Sequence, residues 1–155
     1  MDVYTNLSEG VFMVSIYGFL TKNKAKKLTL ASYFYSAWFR LCILTVKPKY
    51  LHRFWGEQGR ESADTDTPEN YRYAYKVAKV VDRICTKTKW ESKCLVRALT
   101  AQAFLKRRGI HSTMYLGCGM KDGKMVAHAW LRVGEMYVTG GNGSLEYGVV
   151  DRFYT

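Results

Sequence analysis

At Gly109 the apolar residues of this chain change period, and that change constrains the fold more than any other feature. Before it, Ala74, Val77, Ala78, Val81, Ile84 and Cys85 recur at helical spacing. A second helical set follows in Cys94, Leu95, Ala98, Leu99, Ala101, Gln102 and Leu105. Thr67-Pro68-Glu69 opens the first helix with a hydroxyl cap and a proline at the first helical position. Ser92 is placed to cap the second, and Lys106-Arg107-Arg108-Gly109 closes it with basic residues and a glycine. Beyond Gly109, residues 112–119 read as a strand, and Asp122-Gly123 is a hairpin signal leading into 125–133. Gly134-Glu135 makes a two-residue turn into 136–139, and 145–154 supplies a last strand. Helices first and an antiparallel sheet afterwards define an α+β fold.

The N-terminal part is organised differently. Residues 11–17 (VFMVSIY) have strand character, and 28–46 form a long apolar run with one charge, Arg40. The run is nearly long enough to span a bilayer. A guanidinium in its second half would be costly in hydrocarbon, and Ser32, Ser36 and Thr45 dilute it. It is therefore expected to be a helix buried by its own domain or by a partner protein, without membrane contact. Residues 56–69 are acidic and turn-rich, which marks a loop. Three parts result: a strand and apolar helix at 1–55 for docking a partner or leader, a loop at 56–69, and a core at 70–155.

The net charge of +11 is unevenly placed. Residues 71–110 carry 11 Lys+Arg against 2 acids, whereas residues 111–155 carry 4 against 4. A field of that kind attracts polyanions or acidic peptides. A nucleic-acid module would interleave basic and aromatic residues, as around Tyr71, Arg72, Tyr73, Lys76 and Lys79. It would leave His128 unexplained, so no nucleic acid is expected. The four cysteines, Cys42, Cys85, Cys94 and Cys118, form no CxxC pair, and the polar N-terminus does not resemble a signal peptide. Free thiols in the cytoplasm are expected. A zinc site from Cys85, Cys94, His111 and Cys118 would match no recognised spacing, so neither a metal nor a cofactor is expected.

Two residues stand out for chemistry. Cys94 falls at the start of a helix, where unpaired N–H groups and the dipole favour an anion, the form in which a thiol attacks. The same N–H groups can hold an oxyanion. His128 lies mid-strand in VAHAWLRV, with Val126, Trp130 and Arg132 on its face and Ala127, Ala129, Leu131 and Val133 on the other, which is the natural core side. A helix carrying Cys94 and packed on the His128 face would let the imidazole take the thiol's proton. The alternatives are a small buried thiol and a histidine bonded within the sheet.

The stretches Trp90-Glu91-Ser92-Lys93-Cys94-Leu95-Val96-Arg97-Ala98-Leu99, Leu105-Lys106-Arg107-Arg108-Gly109 and Ala127-His128-Ala129-Trp130-Leu131-Arg132-Val133 resemble the transglutaminase-like leader peptidases of lasso-peptide biosynthesis, in their stand-alone form. The resemblance covers about residues 70–155. It implies a papain- or transglutaminase-like fold with Cys94 and His128 as the catalytic pair. It implies cleavage of a leader from a ribosomally made precursor, beside a small leader-binding protein and an ATP-dependent macrolactam cyclase. Trp90, Arg97 and Trp130 would line the cleft, Arg97 equally as a structural ion-pair partner. The family commonly places an acid on the strand after the histidine. Folding MYVT back through Gly134-Glu135 puts Gly141 opposite His128, which is no acid. Asn142 is then the nearest side chain able to accept the imidazole N–H, with Glu146 and Asp151 open as acids if the last strand folds back. Acyl transfer by the same pair, or an inactive leader-binding scaffold, remain alternatives.

Overall fold

The computed structural model describes residues 25–155 apart from Gly143, so the strand expected at 11–17 lies outside the described residues. Helices α1 (Lys26–Thr45), α2 (Pro48–Trp55), α3 (Pro68–Lys87) and α4 (Cys94–Arg107) precede most of the sheet. Its strands are β1 (Glu57–Gln58), β2 (Thr113–Lys121), β3 (Lys124–Val133), β4 (Met136–Thr139) and β5 (Gly148–Tyr154). They lie in the order β1-β5-β2-β3-β4, and every pairing is antiparallel. The α+β class follows from the change of period at Gly109, and Thr67 caps α3 by accepting from the Asn70 N–H. Lys121 and Lys124 pair across the β2–β3 turn, with Asp122 and Gly123 both at positive φ as an Asp-Gly hairpin requires.

The helices cover one face of the sheet. Val77 and Val81 of α3, Leu99 and Leu105 of α4, and Leu131 and Val133 of β3 share one buried cluster. Each such side chain contributes roughly 1.5–3 kcal/mol by leaving water. Helix α4 therefore packs on the Ala129, Leu131 and Val133 face. This corrects the expectation that it covers the face of His128: a run of small and branched apolar residues offers more burial than a histidine and an arginine.

Helix α1 lies across α3 and α4. Leu28, Tyr35, Phe39 and Cys42 face the core, and Ser32 and Ser36 are fully buried. Those two hydroxyls return to the helix's own carbonyls, at Leu28 and Tyr33, so their burial leaves no polar atom unpaired. Their small size lets α1 approach its neighbours. The larger Phe34 (72 % exposed), Trp38 and Leu44 are turned outward, so α1 is buried on one side and not on most sides. Among the described residues no helix is long and apolar enough to cross a membrane.

The other face of the sheet is closed by the acidic loop. Arg132, 9 % exposed, donates to Tyr115, Asp64, Glu61 and the carbonyls of Ser62 and Gly134. Arg152 also pairs with Glu61. The Tyr115 hydroxyl, then Arg152 and Arg132, hold the Glu61 carboxyl below its ordinary range against the opposing effect of burial. A carboxyl depressed in the folded state stabilises the fold above its unfolded pKa, about 4.3, and loses that contribution as pH falls through the folded value. Thermal melts between pH 6 and pH 3 should therefore show a shallower acid slope for Glu61→Gln than for the wild type. Equal slopes would show that Glu61 contributes nothing to acid sensitivity.

Candidate active site

Helix α4 begins at Cys94 because Lys93 is extended, at φ −71° and ψ −178°, and serves as the N-cap. No side chain caps that first turn. Ser92, the expected cap, instead shares a 2.8 Å hydrogen bond with the Thr88 hydroxyl. The first-turn N–H groups, which have no partner inside a helix, are thus free of side-chain acceptors. Lys93 pairs with Glu91 at 2.6 Å, and Glu91 also holds Arg40 of α1 at 2.8 Å. The lysine's charge is therefore engaged beside the thiol. Cys94 itself is half-buried.

A cleft of about 740 Å³ runs from this helix start, past α3, to the chain beyond β4, and both Cys94 and His128 line it. His128 reaches it from the sheet's edge. Strand β4 pairs with β3 only from Leu131 to Val133, and a one-residue shift between Leu131 and Arg132 sets Thr139 opposite Leu131. That bulge overturns the simple register that placed Gly141 across from His128. The pairing ends at Thr139, and residues 140–142 continue along the cleft beside His128.

The imidazole is held there on three sides. Its Nε2 lies 2.8 Å from the Gly140 carbonyl oxygen, and a carbonyl only accepts, so Nε2 carries the proton. Nδ1 makes no hydrogen bond among the described residues. Tyr147 stacks on the ring at 4.9 Å and Trp130 at 5.8 Å. No hydrogen bond joins Cys94 to His128. Gly140 sits at φ +68°, and a Cβ there would stand 2.6 Å from the Ala129 oxygen and 3.1 Å from His128 Nε2. Only glycine fits so close to the ring.

The remaining site candidates divide. Asn142 lines the cleft, exposed and without a hydrogen bond to His128, whose acceptor is the Gly140 main chain. Asp151 bonds to Gln58 and Glu146 is exposed, so neither acid meets the imidazole. Arg97 lines the cleft and is pinned to α3 by Asp82 at 2.6 Å and to the Ser92 carbonyl. Trp90 and Trp130, expected to line it, do not. Trp90 packs edge-on to Tyr33 of α1 at 4.8 Å, and Trp130 is buried against Tyr115 over Gly117. Among the described residues no three His, Cys, Asp or Glu side chains converge as metal ligands, so Cys85, Cys94, His111 and Cys118 do not come together. His111 bonds instead to Tyr154. Sequence reasoning missed the Gly140 carbonyl and Tyr147. The first was signalled only by the glycine run at 140–143, and the second by nothing that periodicity could detect.

A thiol at an uncapped helix start and an imidazole bordering the same cleft, on helices over an antiparallel sheet, place the chain among folds suited to a cysteine nucleophile. Residues 42–151, more than half of the chain, match the Transglutaminase-like superfamily, and the chain belongs to that superfamily, which includes cysteine proteases. Neither a curated protein nor a solved structure matches it.

Proposed function

We propose that this chain is a cysteine peptidase that removes the leader from a ribosomally made lasso-peptide precursor. The observation that carries the chemistry is the shared cleft, with Cys94 at its helix end and His128, Nε2 bound to Gly140, at its sheet end. The substrate class rests on the resemblance of the segments around Trp90, Arg107 and His128. The imidazole's free Nδ1 accepts the thiol proton, the thiolate attacks the scissile carbonyl, and the first-turn N–H groups of α4 receive the oxyanion. The imidazolium returns its proton to the leaving amine, and water then releases the acyl group. The pair closes to bonding distance in the substrate complex, as catalytic hydrogen bonds often do. The Gly140 carbonyl serves the positioning role expected of Asn142. The exposed face of α1 offers a separate leader-binding protein an apolar surface, and an ATP-dependent cyclase consumes the freed amine. The cytoplasm, where thiols stay reduced, suits this chemistry.

Precursor incubated with the protein and its leader-binding partner, and followed by mass spectrometry, tests this. Scission at one bond is expected from the wild type and from neither Cys94→Ala nor His128→Ala. An inert wild type, or an active Cys94→Ala protein, would refute it. Superfamily membership favours one second reading, acyl transfer to an amine. A product heavier by the mass of an added amine, rather than by water, would identify that. Gly140→Ala is expected to lower cleavage by up to about a hundredfold, because a Cβ at φ +68° meets the Ala129 oxygen at 2.6 Å and forces the segment holding the ring to move by an amount on the order of 1 Å. Steady-state rates check this, and an Asn142→Ala protein should retain most of its activity.

A further inference from the structure

At the far end of α4 from Cys94, about 20 Å away along a fourteen-residue helix, a second groove of about 600 Å³ opens between α1, α3 and α4. Its floor is apolar, formed by Leu28, Ala31 and Phe104. Its rim carries four cations, Lys27, Lys76, Arg107 and Arg108, and its lining includes no carboxylate. Among the described residues Lys27 and Lys76 have no ion-pair partner. Arg108 has only a 3.3 Å contact with Glu69, between two side chains that are each more than half exposed, which binds weakly.

We infer that this groove docks an acidic peptide segment, with carboxylates on the four cations and an apolar side chain on Leu28 and Phe104. The charge calls for an anionic partner, and the floor calls for an apolar anchor between its charges. A nucleic acid strand fits less well, because it would need free aromatic faces for its bases. The Tyr73 face is already covered by the Arg108 guanidinium at 4.4 Å. The Tyr35 hydroxyl accepts from Arg107, and its ring packs edge-on to Phe104 at 5.1 Å. The groove takes no part in the cleft's chemistry and stands independently of it.

Fluorescence anisotropy with the full chain tests the inference, using a labelled decapeptide of alternating glutamate and leucine. Comparison probes are alternating glutamate and serine, and a ten-nucleotide thymidine strand. The glutamate–leucine peptide is expected to bind best, with equal affinity for wild type and Cys94→Ala. The double variant Lys27→Glu, Lys76→Glu should lose at least about tenfold in affinity. Both positions are exposed and unpaired, so the fold should persist, as circular dichroism would show. Lys76→Ala provides a milder loss in the same direction. No binding, unchanged binding by the double variant, equal binding of the glutamate–serine peptide, or tighter binding of the thymidine strand would each overturn the inference. Cleavage measured on the same variants separates a failure of the groove from a failure of the cleft.

Discussion

Replacing Cys94 by alanine is expected to lower leader cleavage at least a thousandfold, since removing the nucleophile of a covalent enzyme costs up to about a millionfold. The melting temperature should change little, since the side chain is only half-buried and sits at the margin of the core, at a helix start. Cys85 provides the contrast. It is buried on α3, and burial pushes its thiol up from the ordinary range, so it is a poor nucleophile at neutral pH. Cys85→Ala should therefore cleave like wild type while melting earlier, because a core side chain has been truncated. Iodoacetamide at neutral pH should inactivate the wild type by modifying Cys94 and leave Cys85 intact. Equal loss of activity in the two alanine variants would point to instability rather than chemistry.

The largest effect on stability is expected from Arg132→Met. Methionine keeps much of the volume but leaves Glu61, Asp64, Tyr115 and two backbone carbonyls without their shared donor. Removing one partner of a buried ion pair costs about 3–5 kcal/mol, and the exposure of Asp64 and the partial exposure of Glu61 reduce that to roughly 2–3 kcal/mol here. For a chain of this size the melting temperature should fall by roughly 5–10 °C. The loop at 59–67 would lose its main tie to the sheet, and limited proteolysis should cut it first. Because Arg132 lies outside the cleft, the folded fraction should still cleave. An unchanged melting point would mean that the network contributes nothing net.

Much of this architecture was legible because local signals and tertiary packing agree. The Thr67-Pro68 start, the basic end of α4 and the Asp122-Gly123 turn each fix an element by its own chemistry. The thiol at a helix start and the histidine mid-strand were readable for the same reason. What escaped depends on contacts between distant segments. The run at 28–46 is apolar all round, so no periodicity reveals its buried face. The structure buries that face through Ser32 and Ser36, which the sequence shows only as dilution. The β3–β4 ladder has a one-residue bulge and ends at Leu131 and Thr139, so His128 lies beyond it and meets the Gly140 main chain rather than Asn142. Backbone acceptors leave no trace in residue type. The Ala129, Leu131 and Val133 side of β3 was legible as the core side, but the helix carrying Cys94 was expected on the opposite face, whereas it packs on this one.

The most direct test of the central claim is to trap the acyl-enzyme site. A peptide matching the end of the leader, with its scissile carbonyl replaced by a vinyl sulfone, would be incubated with wild type and His128→Ala. Peptide mapping by mass spectrometry would then locate the adduct. The account predicts rapid modification of Cys94, none at Cys42, Cys85 or Cys118, and much slower labelling when His128 is absent. Modification of another cysteine, or labelling at an undiminished rate in the His128→Ala protein, would contradict it.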